Sequence, residues 1–304
     1  MDDAPMSNLI LLLALMLPTI LVVAVLFLYR ALSRRDRRRS PLTFKVINQP
    51  GEGLRRQIAK HDDAIAEALT VVAMAGPTLF SAWLLVRIDR VVPDWSGIRF
   101  GWGDAFFALV LIVILAWATW KLIRHIRRRR RYREGLYAEL AVAQRLYPLA
   151  LHGVMAFHDF PADKFNIDHV VIGRGVVFCV ETKSRKKPEA KVRESARVEY
   201  DGKRLAFPSH VETKPLEQAA HQAKWLQNFL SQAVGETVRV VPVLALPGWY
   251  IDDTKAPRRT DVIVTNAHAP NFMRSEGFGA AYGPEMRSRI AHVLMERYPG
   301  LADP

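Results

Sequence analysis

Three long apolar segments, residues 8–29, 65–86 and 105–123, constrain this chain more than any other feature. A membrane-spanning helix needs roughly 20 predominantly apolar residues, and each segment meets that length. The first is almost wholly Leu, Ile, Val and Ala around Pro18. The second carries Glu67, Gly76, Pro77 and Ser81, and the third ends near Trp117 and Trp120. Proline is tolerated inside such helices because neighbouring groups satisfy the freed backbone. The pattern predicts three transmembrane α-helices, with a buried or re-entrant helix as the alternative for the second.

Charge orders these segments. Residues 30–63 contain ten Lys and Arg, residues 87–104 three and residues 121–133 eight, including Arg127, Arg128, Arg129, Arg130 and Arg131. Basic loops stay on the cytoplasmic side. The expected protein is therefore multi-pass in the plasma (inner) membrane, with its N-terminus outside and residues 134–304 in the cytoplasm. Positive charge follows the first apolar run instead of preceding it, which argues against a cleaved signal peptide. The net charge of +13 lies almost entirely in residues 1–133, with 21 Lys and Arg against 10 Asp and Glu. Residues 134–304 are near neutral, with 22 against 20, so the high isoelectric point alone says little about what that half binds. The arginine runs read as topology signals attracted to anionic headgroups, or as a patch steering nucleic acid. The single cysteine, Cys179, sits in an apolar run and reads as a small core residue.

Residues 134–304 are long enough for one domain with its own core. Leu136, Leu140, Ala143 and Leu146 recur at helical spacing up to Pro148. A short irregular stretch follows. Residues 167–183 then read as a β-hairpin, with Val170, Val171 and Ile172 in one strand, residues 176–180 in the other, and Gly173-Arg174-Gly175 as the turn. Residues 184–196 form a polar loop, and residues 198–207 a second hairpin with Asp201-Gly202 as a type I′ pair. Pro215 opens a helix. Apolar runs at 238–246 and 261–265 give two strands, and residues 281–298 a final helix with Ile290, Val293 and Leu294 inward. This order argues an α/β domain with a mixed sheet flanked by helices.

The chemistry concentrates on the first hairpin. Alternation puts Glu181 and Lys183 on one face of their strand, with Asp168 at the open end of the partner strand. Two carboxylates so placed can hold a divalent metal, with an ammonium beside it to meet a phosphate or a water.

Four places together resemble the nuclease-related domain (NERD) family, a branch of the PD-(D/E)xK, restriction-endonuclease-like fold. Glu139 in AELAVAQRL resembles the acidic residue of the family's first helix. Ile167-Asp168-His169 resembles its IDH strand and Glu181-Thr182-Lys183 its ETK strand. Pro215-Leu216 with Gln218 resembles its NPLxQ helix start. Lys214 departs from the family's Asn, and Ser184-Arg185 from its usual Asn plus aromatic. The resemblance covers roughly residues 137–270.

It implies Mg²⁺ or Mn²⁺ held by Asp168, Glu181 and the Thr182 carbonyl, and catalytic roles for Asp168, Glu181, Lys183, Glu139 and Gln218. The expected function is a membrane-tethered, metal-dependent nuclease hydrolysing DNA or RNA at the cytoplasmic face. Its partners would be nucleic acid, the lipid bilayer and further copies of the chain through the membrane helices. The competing reading is a non-catalytic, membrane-anchored module that binds nucleic acid or protein on a nuclease-like fold. Transport finds little support, since Glu67 is the only acidic residue in the three apolar segments and lies near an end.

Overall fold

The protein is described by a computed structural model covering residues 24, 25, 28, 47–91, 101–188, 196–268, 270, 273 and 280–298. The apolar segment 8–29 and the loop residues 189–195 fall almost wholly outside these. The chain divides into two compact units, Met1–Pro41 with Lys60–Arg128, and Leu42–Ala59 with Arg129–Pro304.

Among the described residues, the first unit consists mainly of two long helices. Helix α1 runs Glu52–Val91 and α2 runs Trp102–Leu146. Both are long and apolar enough to cross a membrane, and almost none of either apolar window is buried. Leu69, Val72, Phe80, Leu109, Ile112 and Val113 all stand exposed. An apolar surface of that extent is compatible with a non-aqueous neighbour. Two membrane-compatible helices are therefore seen among the described residues, where three were expected along the chain. Polar pairs lie in this unit among the described residues. Asp104 accepts from Trp83 Nε1 at 2.7 Å, and Lys121 meets Glu67 at 3.2 Å.

The second unit begins within α1 and α2. The helix expected from residue 136 is the continuation of α2, since no glycine or proline cluster interrupts residues 124–133. A 3₁₀ turn, Tyr147–His152, follows at Pro148 and closes on Gly153 in the left-handed conformation (φ 75°). The stretch read as irregular is a strand, β1 (Met155–Pro161), whose alternation is masked by His158 and Asp159. Next come β2 (Asn166–Ile172) and β3 (Val177–Thr182), then β4 (Arg197–Tyr200), β5 (Leu205–Ala206) and β6 (Val211–Glu212). Helix α3 (Lys214–Val234), β7 (Val240–Ala245), β8 (Tyr250–Asp252), β9 (Ile263–Thr265) and α4 (Pro284–Arg297) complete the unit.

The central sheet has the order β1-β2-β3-β7-β9. Its first three strands are antiparallel, while β3, β7 and β9 run parallel. Pro242 is accommodated because odd-numbered residues of β7 bond to β3, as Lys183 N–H to Ala245 O shows. Its missing donor faces the other side, where β9 pairs only Val243, Leu244 and Ala245. A smaller sheet, β6-β5-β4-β8, packs beside α3.

Near-continuous apolar runs in β2 and β3 follow from burial of both faces. Val170, Ile172, Val177 and Cys179 point into a core closed by Leu226 and Leu230 of α3 and Ile290 and Leu294 of α4. Val171, Val176, Phe178 and Val180 meet Val142 and Leu146 of α2 on the other side. Leu226 is fully buried in the first of these cores. Leu226→Ala is expected to cost about 2–5 kcal/mol, checked by urea denaturation of the purified protein.

One turn differs from expectation. Tyr200 pairs with Leu205 across the β4–β5 hairpin, leaving a loop of residues 201–204. A type I′ turn needs positive φ at both central residues. Here Gly202 alone is positive, at 93°. The Asp201 carboxylate accepts from the N–H groups of Lys203 and Arg204, both at 2.9 Å, and organises the longer loop.

Candidate active site

The β2–β3 ladder stops short of the ends of both strands. His169 pairs with Val180, so the register places Asp168 opposite Glu181 on the same face. The next bond is made by a side chain, with Thr182 N–H donating to Asp168 Oδ2 at 2.6 Å. The N–H and C=O of one strand residue point to the same side, so the Thr182 carbonyl is directed toward the Asp168 edge.

Glu181 is buried at the end of β3. Its Oε1 is in direct contact with Lys183 Nζ and accepts from Gln218 Nε2 at 2.8 Å. Gln218 lies in the first turn of α3, which Pro215 starts at a position where its absent N–H is not needed. Glu139 is also buried, on α2, three residues before Val142 enters the core. Burial, followed by the Asp159 and Glu181 charges, pushes the Glu139 pKa up to about 8. Burial also raises Asp168 well above the carboxylate range, and Glu181 and Glu139 add to that shift. Glu139, Asp168, Glu181, Lys183 and Gln218 are thus brought together from α2, β2, β3 and α3.

Asp159 is the member that sequence reading missed. The β1–β2 register sets it opposite Asp168, but the ladder breaks there. Asp159 takes φ 45°, and its carboxylate turns to Gly53 N–H (2.7 Å) and Asn166 Nδ2 (3.0 Å). Like charges directly opposed across a ladder are unfavourable, and the break separates them. Nothing in the local pattern singles out Asp159. His169 beside the site has a structural role, since its Nδ1 lies 2.8 Å from His158 Nδ1 in the buried interior. Burial depresses both imidazoles, His158 to about 4, so one neutral ring donates to the other.

A divalent cation fits this donor set. Glu181 Oε2 is buried with no hydrogen-bond partner, which is costly for a carboxylate oxygen unless something cationic reaches it. The other donors in reach are oxygens, the Asp168 carboxylate and the Thr182 carbonyl, as a hard cation prefers. Among the described residues no group of three or more His, Cys, Asp or Glu side chains is arranged to hold a metal. The protein ligands would thus be two carboxylates and a carbonyl, with water completing the shell as Mg²⁺ favours.

A surface cavity of about 760 Å³ opens at the ends of β7 and β9, lined by Arg197, Trp249, Tyr250, Asn266 and His268. It is separate from the five site residues but tied to their neighbourhood, because Trp249 Nε1 donates to Arg185 O, two residues past Lys183.

No curated protein and no solved structure matches the chain. The family model for the nuclease-related domain (NERD) matches residues 134–247, a span that holds all of Glu139, Asp168, Glu181, Lys183 and Gln218. Those residues on a mixed α/β sheet, together with that match, make residues 134–247 of this chain a nuclease-related domain.

Proposed function

We propose that the protein is a membrane-anchored, metal-dependent nuclease that hydrolyses phosphodiester bonds of DNA or RNA. The observation that carries this reading is the buried Glu181 carboxylate, shared between Lys183 and Gln218 and left with one oxygen open beside Asp168. A purely structural ion pair needs no second crowded carboxylate. A phosphate-cleaving site does, because anionic ligands hold the cation that offsets charge on a phosphoryl centre.

Asp168, Glu181 and the Thr182 carbonyl would bind Mg²⁺ or Mn²⁺. When bound, that ion lowers the pKa of a coordinated water and offsets negative charge on the phosphate. Lys183 acts as a point cation beside Glu181, orienting the attacking water or stabilising the developing charge. Gln218 fixes Glu181 from α3, so the carboxylate presents its free oxygen in one direction. Glu139, with a pKa near 8 in the metal-free protein, can take up or release a proton at neutral pH. The membrane part of the reading rests on α1 and α2, whose exposed apolar windows suit a bilayer. The cytoplasmic placement of the nuclease-related domain rests on the basic runs after residues 29 and 123.

The test uses the full chain in detergent micelles with single- and double-stranded DNA and RNA, with Mg²⁺ or with EDTA. Cleavage that requires the metal and falls at least a hundredfold in Lys183→Met is the expected result. Equal cleavage by wild type and Lys183→Met would overturn the mechanism. Binding of nucleic acid without cleavage under any metal would favour the non-catalytic module.

A further inference from the structure

The compact unit that holds the site includes residues 42–59, some 80 residues before the family match begins at residue 134. Their contacts are specific. Asn48 Nδ2 donates to the Asp159 carbonyl at 2.9 Å. Gly53 N–H, at the start of α1, donates to the Asp159 carboxylate at 2.7 Å. Between these two anchors Pro50 and Gly51 are buried, and Gly51 lies close against the Glu139 carboxylate. Gly51 stands at φ 72°, and a Cβ there would overlap Leu136 Cδ1 and lie 3.4 Å from Glu139 Oε2. Only glycine fits both the left-handed backbone and that approach. Asp159 keeps its own left-handed backbone because Asn48, Gly53 and Asn166 all hold it.

We infer that residues 47–53 form a clamp of the candidate active site, fastened to Asp159 and positioning Glu139 through the close approach of Gly51. The inference rests on the nuclease reading for what Glu139 does, and on the hydrogen bonds alone for where the clamp sits. Asp159 and Gly51 are positioning residues, because they act through Glu139. The consequence is that a nuclease-related domain trimmed to residue 134 lacks part of its site. The stretch 47–59 is then not a linker between apolar segments but a working piece of the enzyme.

The test uses the full chain in detergent, comparing wild type with Gly51→Ala, Asn48→Ala and Glu181→Ala. Two quantities are read, amide hydrogen exchange over 47–59, 136–142 and 177–182, and kcat with KM for metal-dependent cleavage. Gly51→Ala is expected to raise exchange in 47–59 and 136–142 at least tenfold while leaving 177–182 protected, which controls for unfolding. Its kcat should fall about tenfold with KM within twofold. Asn48→Ala should show the same changes more weakly. The double variant Gly51→Ala/Leu136→Ala, which removes the steric clash, should recover part of kcat. Glu181→Ala should lose cleavage and keep 47–59 protected. Free exchange of 47–59 in wild type would overturn the clamp. So would wild-type kcat in variants whose 47–59 segment has loosened. If wild type cleaves nothing, the nuclease reading fails. The clamp is then decided by exchange alone, and unchanged protection of 136–142 in Gly51→Ala would remove it.

Discussion

Glu181→Gln is expected to lower metal-dependent cleavage by about a thousandfold while raising the thermal stability of the metal-free protein at pH 8. The two changes have opposite sign because they have different causes. Glutamine keeps the shape of glutamate, and its side-chain oxygen can still accept from Lys183 and Gln218, so the local packing survives. What disappears is the negative charge facing Asp168 and Glu139, both of which Glu181 pushes upward in pKa. Against that relief stands the weakened contact with Lys183, whose side chain is about one-quarter exposed and can turn to water. Relief of two buried like-charge contacts outweighs loss of one partly solvated pair, and a gain of about 1 kcal/mol is expected. The activity loss follows from removing a metal ligand, with about 4 kcal/mol of barrier corresponding to a thousandfold in rate. Mg²⁺ should raise the melting temperature of wild type and not of the variant, since only a ligand that binds the native state stabilises it. Differential scanning fluorimetry with and without Mg²⁺, beside a cleavage assay, checks both halves. A destabilised Glu181→Gln with wild-type cleavage would remove Glu181 from the site.

The metal-free protein should become less stable as pH rises from 5 to 8. In the folded state Glu139 has a pKa of about 8 against an ordinary 4.5, and Asp168 is raised in the same direction. A raised carboxyl pKa means that the folded protein holds its proton more tightly than the unfolded chain does. That contribution is complete below the unfolded pKa and is lost as pH climbs through the folded one. Each such group contributes a slope of about 1.4 kcal/mol per pH unit. Over these three pH units that is roughly 4 kcal/mol for each group that stays protonated in the fold, or on the order of 10 °C in melting temperature per group for a domain of this size. Glu139→Gln should flatten the curve, because an amide has no proton to lose. Mg²⁺ should flatten it too, since a cation bound there substitutes for the protons. A melting temperature that rises steadily between pH 5 and 8 without metal would refute the crowded-carboxyl account.

The sequence showed the parts of this site that are set by short-range rules. Asp168, Glu181 and Lys183 could be related because a hairpin fixes its own register and alternation fixes the face. The helix that carries Gln218 followed from a proline that marks its start, Gln218 itself only from the family resemblance, and the α/β layering from the order of apolar runs. What stayed hidden depends on contacts between distant segments. Met155–Pro161 did not read as a strand, because β1 carries His158 and Asp159 where an edge strand usually alternates. The loop at residues 47–53 showed only turn residues, and no local pattern ties Gly51 to Glu139 across 88 positions. The expected break before residue 136 failed for the opposite reason. Arginine is a good helix former, so a basic run that resembled a loop in charge continued as helix α2.

The lone thiol of this protein has a practical meaning. Cys179 is fully enclosed in β3, and burial raises its pKa well above the ordinary thiol value. Alkylation proceeds through the thiolate and needs access, so the native chain is silent toward maleimides while folded. A cysteine introduced at Ser7, in the basic stretch at Ser40, or at Ser96 would then be the only reactive thiol of the protein on an intact cell. Labelling by a membrane-impermeant reagent would report which side of the bilayer each position occupies, free of background from the protein's own sulfur.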